Sequence, residues 1–381
     1  MRISILHSRY LSGSVSGENR VVEDEARLLR EAGHYVRVWS PSADELRSRL
    51  QLGGRAVWSR KANFELQRLI EAERIEVVHC HNLFPMLSPS VLRTGSLGAA
   101  VVVTLHNYRL LCLPATFLRD GRVCEACLGK LPWRGVRYRC YRGSTLGSGS
   151  LAASLALHRA LRTFERVKLF LAVSGFLRAK HIAGGFAPER IVVKPNFAWP
   201  SKRRRDPGDF FLYLGRLSPE KGLYGLVKAW PRKAGRLVLV GDGPEDRRLR
   251  EVAPPEVEFR GSLSPKDATE ALRRARALVL PSLSFEGSPR TVPEAYAAGV
   301  PVVATRGGAL PEVIDDGVTG LLAPPGDPSS WSDAIGRLSD DRVVERLGEG
   351  AWEAWRERYA PEQGLAALEA AYRQALNGHP A

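Results

Sequence analysis

The chain has 381 residues, 44% of them hydrophobic and 25% charged, which excludes a disordered or fibrous protein and gives core enough for two or three domains. No apolar run reaches the ~18 residues that a membrane-spanning helix needs, and the apolar part of MRISILHSRY is too short for a secretory signal, so a cytoplasmic protein is expected. The formal charge of +15 favours acidic partners.

ISIL, a helical pattern from Asn19 to Gly33, and YVRVW read as a β–α–β unit, with Val22, Ala26, Leu29 and Ala32 at helical spacing. IEVVH, AAVVVTL, LFLAV and RIVVKPN follow as short strands, mostly separated by helices, the alternation of a doubly wound parallel sheet. The loop after the first strand carries Gly13 and Gly17, the latter in Ser16-Gly17-Glu18. His79, His81 and Asn82 end one strand, where they would touch a ligand or serve the interior, and Cys80 alternates with the two histidines toward the other face. His106 ends another strand, VVVTLH.

From His106 to Ser150 the alternation breaks, and so long an irregular stretch inside a domain is usually functional or disordered. Four of the five cysteines lie there, Cys112, Cys124, Cys127 and Cys140, spaced C-x11-C-x2-C-x12-C. A C-x2-C flanked by two more cysteines suits a tetrahedral structural zinc or another thiolate-bound metal; the competing reading is four separate packing residues. Between Arg119 and Lys168 there are eleven Lys or Arg against three acids, and KRRR at 202–205 adds four more cations. No nucleic-acid fold signature accompanies this charge, so peripheral contact with an anionic membrane, at its inner face, is the expected partner.

FAWPSKRRRDPGD, ending at residue 209, marks a linker, and a second alternation follows: FFLYLG, RLVLVGDG, VEFRG, ALVLPS, VPVVAT and TGLLAP, then helices from Trp331. Three motifs end strands of this half. GRLSPEKG places Arg216 and Lys221, VGDGP places Gly241 and Gly243, and FEGSPRTVPEA places Glu286, Gly287, Ser288, Arg290, Thr291 and Glu294. In an open α/β sheet ligands bind outside the carboxyl ends of the strands. Glycine-rich turns and a helix start favour an anion there. Two carboxylates beside an anion repel it unless the ligand also brings hydroxyls, as a sugar joined to a nucleoside diphosphate does.

These motifs, with GVPVVATRGGALPEVIDDGVTGLLAPPGD, SGENRVVEDEARLLREAGHYV, VVHCHN and VVVTLHNYRLLC, resemble retaining glycosyltransferases of family 4 over nearly the whole chain. The resemblance implies the GT-B fold: two Rossmann-like doubly wound parallel-sheet domains facing a central cleft, with C-terminal helices crossing back to the first. The expected boundaries are an acceptor-side domain at 1–198 with a Cys-bearing insert at 107–150, a basic linker at 199–209, a nucleotide-sugar domain at 210–360, and a helix at 361–381 packing on the first domain with Trp352, Trp355 and Tyr359. It further implies a UDP- or GDP-sugar donor, a glycan, lipid-linked or small-molecule acceptor, retention at the anomeric carbon, and no catalytic metal. Arg216 and Lys221 would stabilise the leaving diphosphate, Glu286 hold the hexose and Glu294 the ribose. His106 would lie against the donor sugar, Gly17 approach the phosphate, and Gly241 with Arg260 and Gly261 meet the base largely through backbone. His79, His81 and Asn82 are the acceptor candidates. A binding or assembly protein on the same scaffold, a sugar-nucleotide epimerase and a phosphorylase are the alternatives.

Overall fold

In a computed structural model the protein is described over residues 1–9, 17–42 and 49–378, with the side chains of 49–52 left aside. Gly13 and Ser16, named above, lie outside these residues. The chain divides into two compact units: Met1–Phe117, Glu125–Lys194 and Leu365–Ala381 form one, and Leu118–Cys124 with Pro195–Gly364 the other.

The strands of the first unit are β1 (Arg2–Leu6), β2 (Tyr35–Trp39), β3 (Val77–Cys80) and β4 (Ala100–Leu105). A two-residue-per-strand hairpin follows, β5 (Leu118–Arg119) and β6 (Arg122–Val123), before β7 (Leu169–Ala172) and β8 (Ile191–Val193). The six long strands run parallel in the order β2-β1-β3-β4-β7-β8. Central β3 and β4 are buried along their whole length, which is why they read as unbroken apolar runs. Ile3, Ile5, Val77 and Val102 pack there with Val22, Ala26 and Leu29 of the helix Gly17–Glu31 and with Leu368, Ala371 and Tyr372 of the helix Pro361–Asn377. Each fully buried Val, Leu or Ile among these contributes about 1.5–3 kcal/mol.

The second unit holds β9 (Phe210–Leu214), β10 (Arg236–Val240), β11 (Val257–Gly261), β12 (Ala275–Leu280), β13 (Val302–Thr305) and β14 (Gly320–Ala323). These are parallel in the order β11-β10-β9-β12-β13-β14. The sequence expects two parallel doubly wound sheets, and the structure has them.

Two expectations are corrected. Trp355 and Tyr359 pack in the core of the second unit, where the Trp355 indole N–H donates to Ala198 O at 3.0 Å, so it is from Leu365 on that the last helix joins the first unit. The basic run 202–205 is not wholly a charged surface. Arg204 is wedged inward and donates to the carbonyls of Pro207, Ala275, Arg276 and Val344, and burial together with Arg276 pushes its guanidinium down to about 10. Arg203 pairs with Glu349 and lies over Trp352.

Candidate functional site

In the second unit two loops are built against each other where neighbouring β9 and β12 end. Leu283 and Ser284 N–H donate to Glu220 O at 2.9 and 3.2 Å. Gly222 turns there at φ +71°, and a Cβ on it would collide with Pro281 O, so only glycine closes this approach. The loops thereby bring Lys221 Nζ to 2.7 Å from Glu286 Oε1, and the Ser282 hydroxyl donates to the same oxygen. Burial lowers the Lys221 ammonium, but Glu286 and Glu220 outweigh it and hold it raised, so Lys221 is a fixed cation. Gly308, at φ +61°, lies so close to Glu286 that an added Cβ would sit 2.7 Å from its backbone N, and Ala309 N–H donates to Glu286 O at 3.0 Å. The Glu286 backbone is therefore clamped from two loops.

Glu294 sits in the first turn of the helix Thr291–Ala297, and its Oε1 is 2.9 Å from Arg290 Nε. Pro293 is buried in that turn, where its missing N–H costs no intrahelical bond. Asn196 Nδ2 donates to Ser288 O at 3.1 Å and so fixes the Gly287-Ser288 turn. Arg216 is exposed, and its guanidinium makes no ion pair with any described residue. Its carbonyl is held by the Tyr213 hydroxyl at 2.7 Å.

The glycine-rich turn serves packing. A Cβ at Gly241 would strike Gly215 O and one at Gly243 would strike Leu217 O, so these glycines let the ends of β9 and β10 interlock. The Gly241 N–H donates to Gly261 O at 2.8 Å and is not left for a ligand. The Arg260 side chain turns to Glu258, at 2.7 Å, and over the Phe210 ring.

In the first unit, His106 follows β4 and is half-buried; its Nε2 is 2.8 Å from His81 Nδ1. The neighbouring Asn107 Nδ2 donates to Glu18 Oε1 at 2.6 Å, which ties the helix start at Gly17 to the His106 loop. Among the described residues, no atom lies within 4 Å of a Cβ placed on Gly17.

Of the three acceptor candidates, His79 and His81 are buried and Asn82 is partly exposed. His79 is sealed, with Nδ1 2.8 Å from the Tyr372 hydroxyl and Nε2 2.7 Å from Thr104 Oγ1. The Asn82 side chain is committed to Ser8 O, Phe84 O and Phe84 N–H, shaping its own turn. Cys80 is buried, and burial pushes its thiol far up.

Between these residues lies a pair that the sequence reading missed. Glu25 and Lys194 are both buried and joined by an Nζ–Oε1 ion pair. Burial alone would raise the Glu25 carboxyl, but the Lys194 ammonium outweighs it and brings it below the usual range. Its signal was a glutamate on the same helix face as Val22, Ala26 and Leu29. Burial above all, with the crowding of the imidazoles on one another and the Lys194 ammonium adding to it, holds His79, His81 and His106 well below the ordinary imidazole range, so all three are neutral.

The five cysteines form no disulfide. Among the described residues, the His/Cys/Asp/Glu set with three ligand atoms within 4.8 Å of one another is Glu25, His79 and His81; the four insert cysteines are not gathered that closely. Burial pushes the Cys112 thiol up to about 11.

A family model described as "Glycosyltransferase Family 4" matches residues 15–198, and one described as "Glycosyl transferases group 1" matches 208–341. A GDP-mannose-dependent alpha-mannosyltransferase of Corynebacterium glutamicum is 31% identical over 175 residues, 45% of this chain and 41% of that protein. The chain thus spans less than half the length of the first curated relatives it matches. Sucrose-phosphate synthase from Thermosynechococcus elongatus has a similar structure, with TM-score 0.72, 18% identity and 100% of both chains covered. Anabaena HepE in complex with UDP and glucose gives TM-score 0.66 at 18% identity, covering 96% of this chain and 98% of that one. At such identity these structures establish the shared fold.

Proposed function

We propose, for a chain that belongs to glycosyltransferase family 4 and has the GT-B fold, that it moves a hexosyl group from a nucleoside-diphosphate sugar to a hydroxyl acceptor with retention. The observation that carries this reading is the Lys221–Glu286 pair held between two strand-end loops. Lys221 and the exposed Arg216 supply fixed positive charge for a departing diphosphate, and preformed charge at the leaving group is usually the largest catalytic term. Glu286 orients Lys221 and turns its second oxygen to a sugar hydroxyl. Glu294, steadied by Arg290, takes the ribose. The leaving phosphate itself serves as base toward the acceptor, so no second carboxylate is needed as a nucleophile. The mannosyltransferase relative is named for a GDP-sugar and the HepE structure holds UDP, so both donors belong in the test.

Calorimetry with UDP, GDP and their hexose conjugates is the direct experiment. The expected result is micromolar-range binding of one nucleotide series, weakened for the free diphosphate by Glu294→Gln and for the sugar conjugate alone by Glu286→Gln. Binding of neither series, or a reversal of the two effects, overturns the assignment.

We also propose that the acceptor is presented at an anionic membrane. No described helix is long and apolar enough to cross one. Leu131, Trp133, Tyr138 and Leu146 are exposed among Arg134, Arg137, Arg139 and Arg142, the mix of apolar and basic groups that an anionic lipid surface attracts. Sedimentation with phosphatidylglycerol vesicles, and not with phosphatidylcholine vesicles, is the expected outcome; binding to neither removes the proposal.

A further inference from the structure

The interior of the first unit contains more polar chemistry than one ligand-facing histidine requires. Behind half-buried His106 stand His81, then Glu25, then Lys194, all three buried. His106 Nε2 and His81 Nδ1 are 2.8 Å apart, so one donates and the other accepts. His81 Nε2 in turn lies 3.4 Å from Glu25 Oε2, and neither atom has a hydrogen-bond partner among the described residues. A neutral imidazole carries one N–H. On His81 Nδ1, that proton would leave the Nε2 lone pair facing a buried carboxylate. On Nε2, it points at the carboxylate, and in a low-dielectric interior this electrostatic difference decides. His81 Nδ1 must then accept, and His106 must donate from Nε2. The remaining nitrogen, His106 Nδ1, bonds to no described residue and keeps its lone pair.

We propose that Glu25, acting through His81, is a positioning residue that fixes the tautomer of His106, so that Nδ1 meets the ligand as a hydrogen-bond acceptor and selects a hydroxyl that can donate. Which ligand supplies that hydroxyl rests on the glycosyl-transfer reading; the tautomer does not. Glu25, His79 and His81 could also be read as metal ligands. That reading fails here because Lys194 already neutralises the carboxylate and both nitrogens of His79 are taken up by Tyr372 and Thr104.

The test is nitrogen NMR of histidine-labelled protein, with His106 assigned by the signal lost in His106→Gln. The expected spectrum has a protonated Nε2 and a bare Nδ1 on His106. Glu25→Leu combined with Lys194→Met removes both charges together, a swap that buried ion pairs often tolerate. It should mix the His106 tautomers and lower kcat/KM about tenfold, one hydrogen bond's worth, with nucleoside diphosphate affinity unchanged. His81→Asn, whose Oδ1 can still accept from His106, should keep the bare Nδ1; His81→Phe should lose it. A protonated Nδ1 in the natural protein overturns the proposal, as do unaltered tautomers in both the double variant and His81→Phe. If the tautomers behave as expected and no nucleotide sugar is turned over, the relay stands and the glycosyl-transfer reading falls.

Discussion

Both units hold a Lys–Glu pair among strand ends, and the two pairs differ in one respect. Lys194 and Glu25 are 1% and 0% exposed at the side chain, whereas Lys221 and Glu286 keep 28% and 13%. A sealed pair can act only on its neighbours, here three neutral histidines. An open pair can exchange its partner for a ligand. Glu286 therefore does for Lys221 in the free protein what a diphosphate would do when bound: it keeps the ammonium charged and aimed. The contrast extends to composition. Every described histidine lies in the first unit, and the second contains none.

That asymmetry gives the largest expected effect. His7, His79, His81, His106, His158 and His181 are all held below the ordinary imidazole range by burial, His181 at about 4. A depressed histidine binds its proton more weakly folded than unfolded, so its stabilisation is full above the unfolded pKa and is lost as pH falls through it. Each proton gained only on unfolding costs about 1.4 kcal/mol per pH unit. Several such groups together should destabilise the first unit by several kcal/mol between about pH 6.5 and about pH 5, with the second unit little changed. Calorimetric scans across this range should split into two transitions, only one of them sensitive to acid. A single transition moving as a whole would erase the contrast.

The sealed pair comes next. Glu25→Leu alone strands the Lys194 ammonium in the interior and should cost about 3–5 kcal/mol, most of it recovered when Lys194→Met is added. Thermal denaturation of the two variants measures this. Equal losses would show that the pair matters for its packing and not for its charge.

The open pair should behave in the opposite way, with a small change in melting temperature and a large change in rate. Lys221→Ala and Arg216→Ala are each expected to lower single-turnover rates by about 10²-fold. Near-native rates in both would remove the diphosphate role.

Much of this was legible in the sequence because it is written in local patterns. Apolar runs and helical spacing foretell both sheets, and the positions of Lys221, Glu286 and Glu294 follow from strands ending beside glycine-rich turns. What was not legible depends on long-range pairing. Glu25 and Lys194 are 169 positions apart, and only the placement of a glutamate among Val22, Ala26 and Leu29 hinted that it was buried. His79 looked like a strand-end ligand until Tyr372, from the last helix, covered it. Gly241 was expected to meet the nucleotide base through its backbone, yet its tight approach to Gly215 and its bond to Gly261 are set by neighbouring strands.

The smallest effect on nucleotide binding is expected from the cysteines, and it sharpens the same division. We propose one zinc per chain on the thiols of Cys112, Cys124, Cys127 and Cys140, because the polar, Arg-rich insert buries little and metal binding energy at a structural site becomes folding energy. Binding would have to draw the sulfurs closer than they stand here and displace a proton from Cys112, whose thiol burial pushes up to about 11. Zinc affinity should therefore fall steeply with acid, since each thiol must lose its proton. Elemental analysis of protein purified without chelator or metal-affinity resin should give about one zinc per chain. Stripping the metal should lower the melting transition of the first unit and the transfer rate, while affinity for the nucleoside diphosphate stays as it was. Metal content near zero, with the four insert thiols titratable in the native protein, would leave these cysteines as packing residues and the insert held by its side-chain contacts alone.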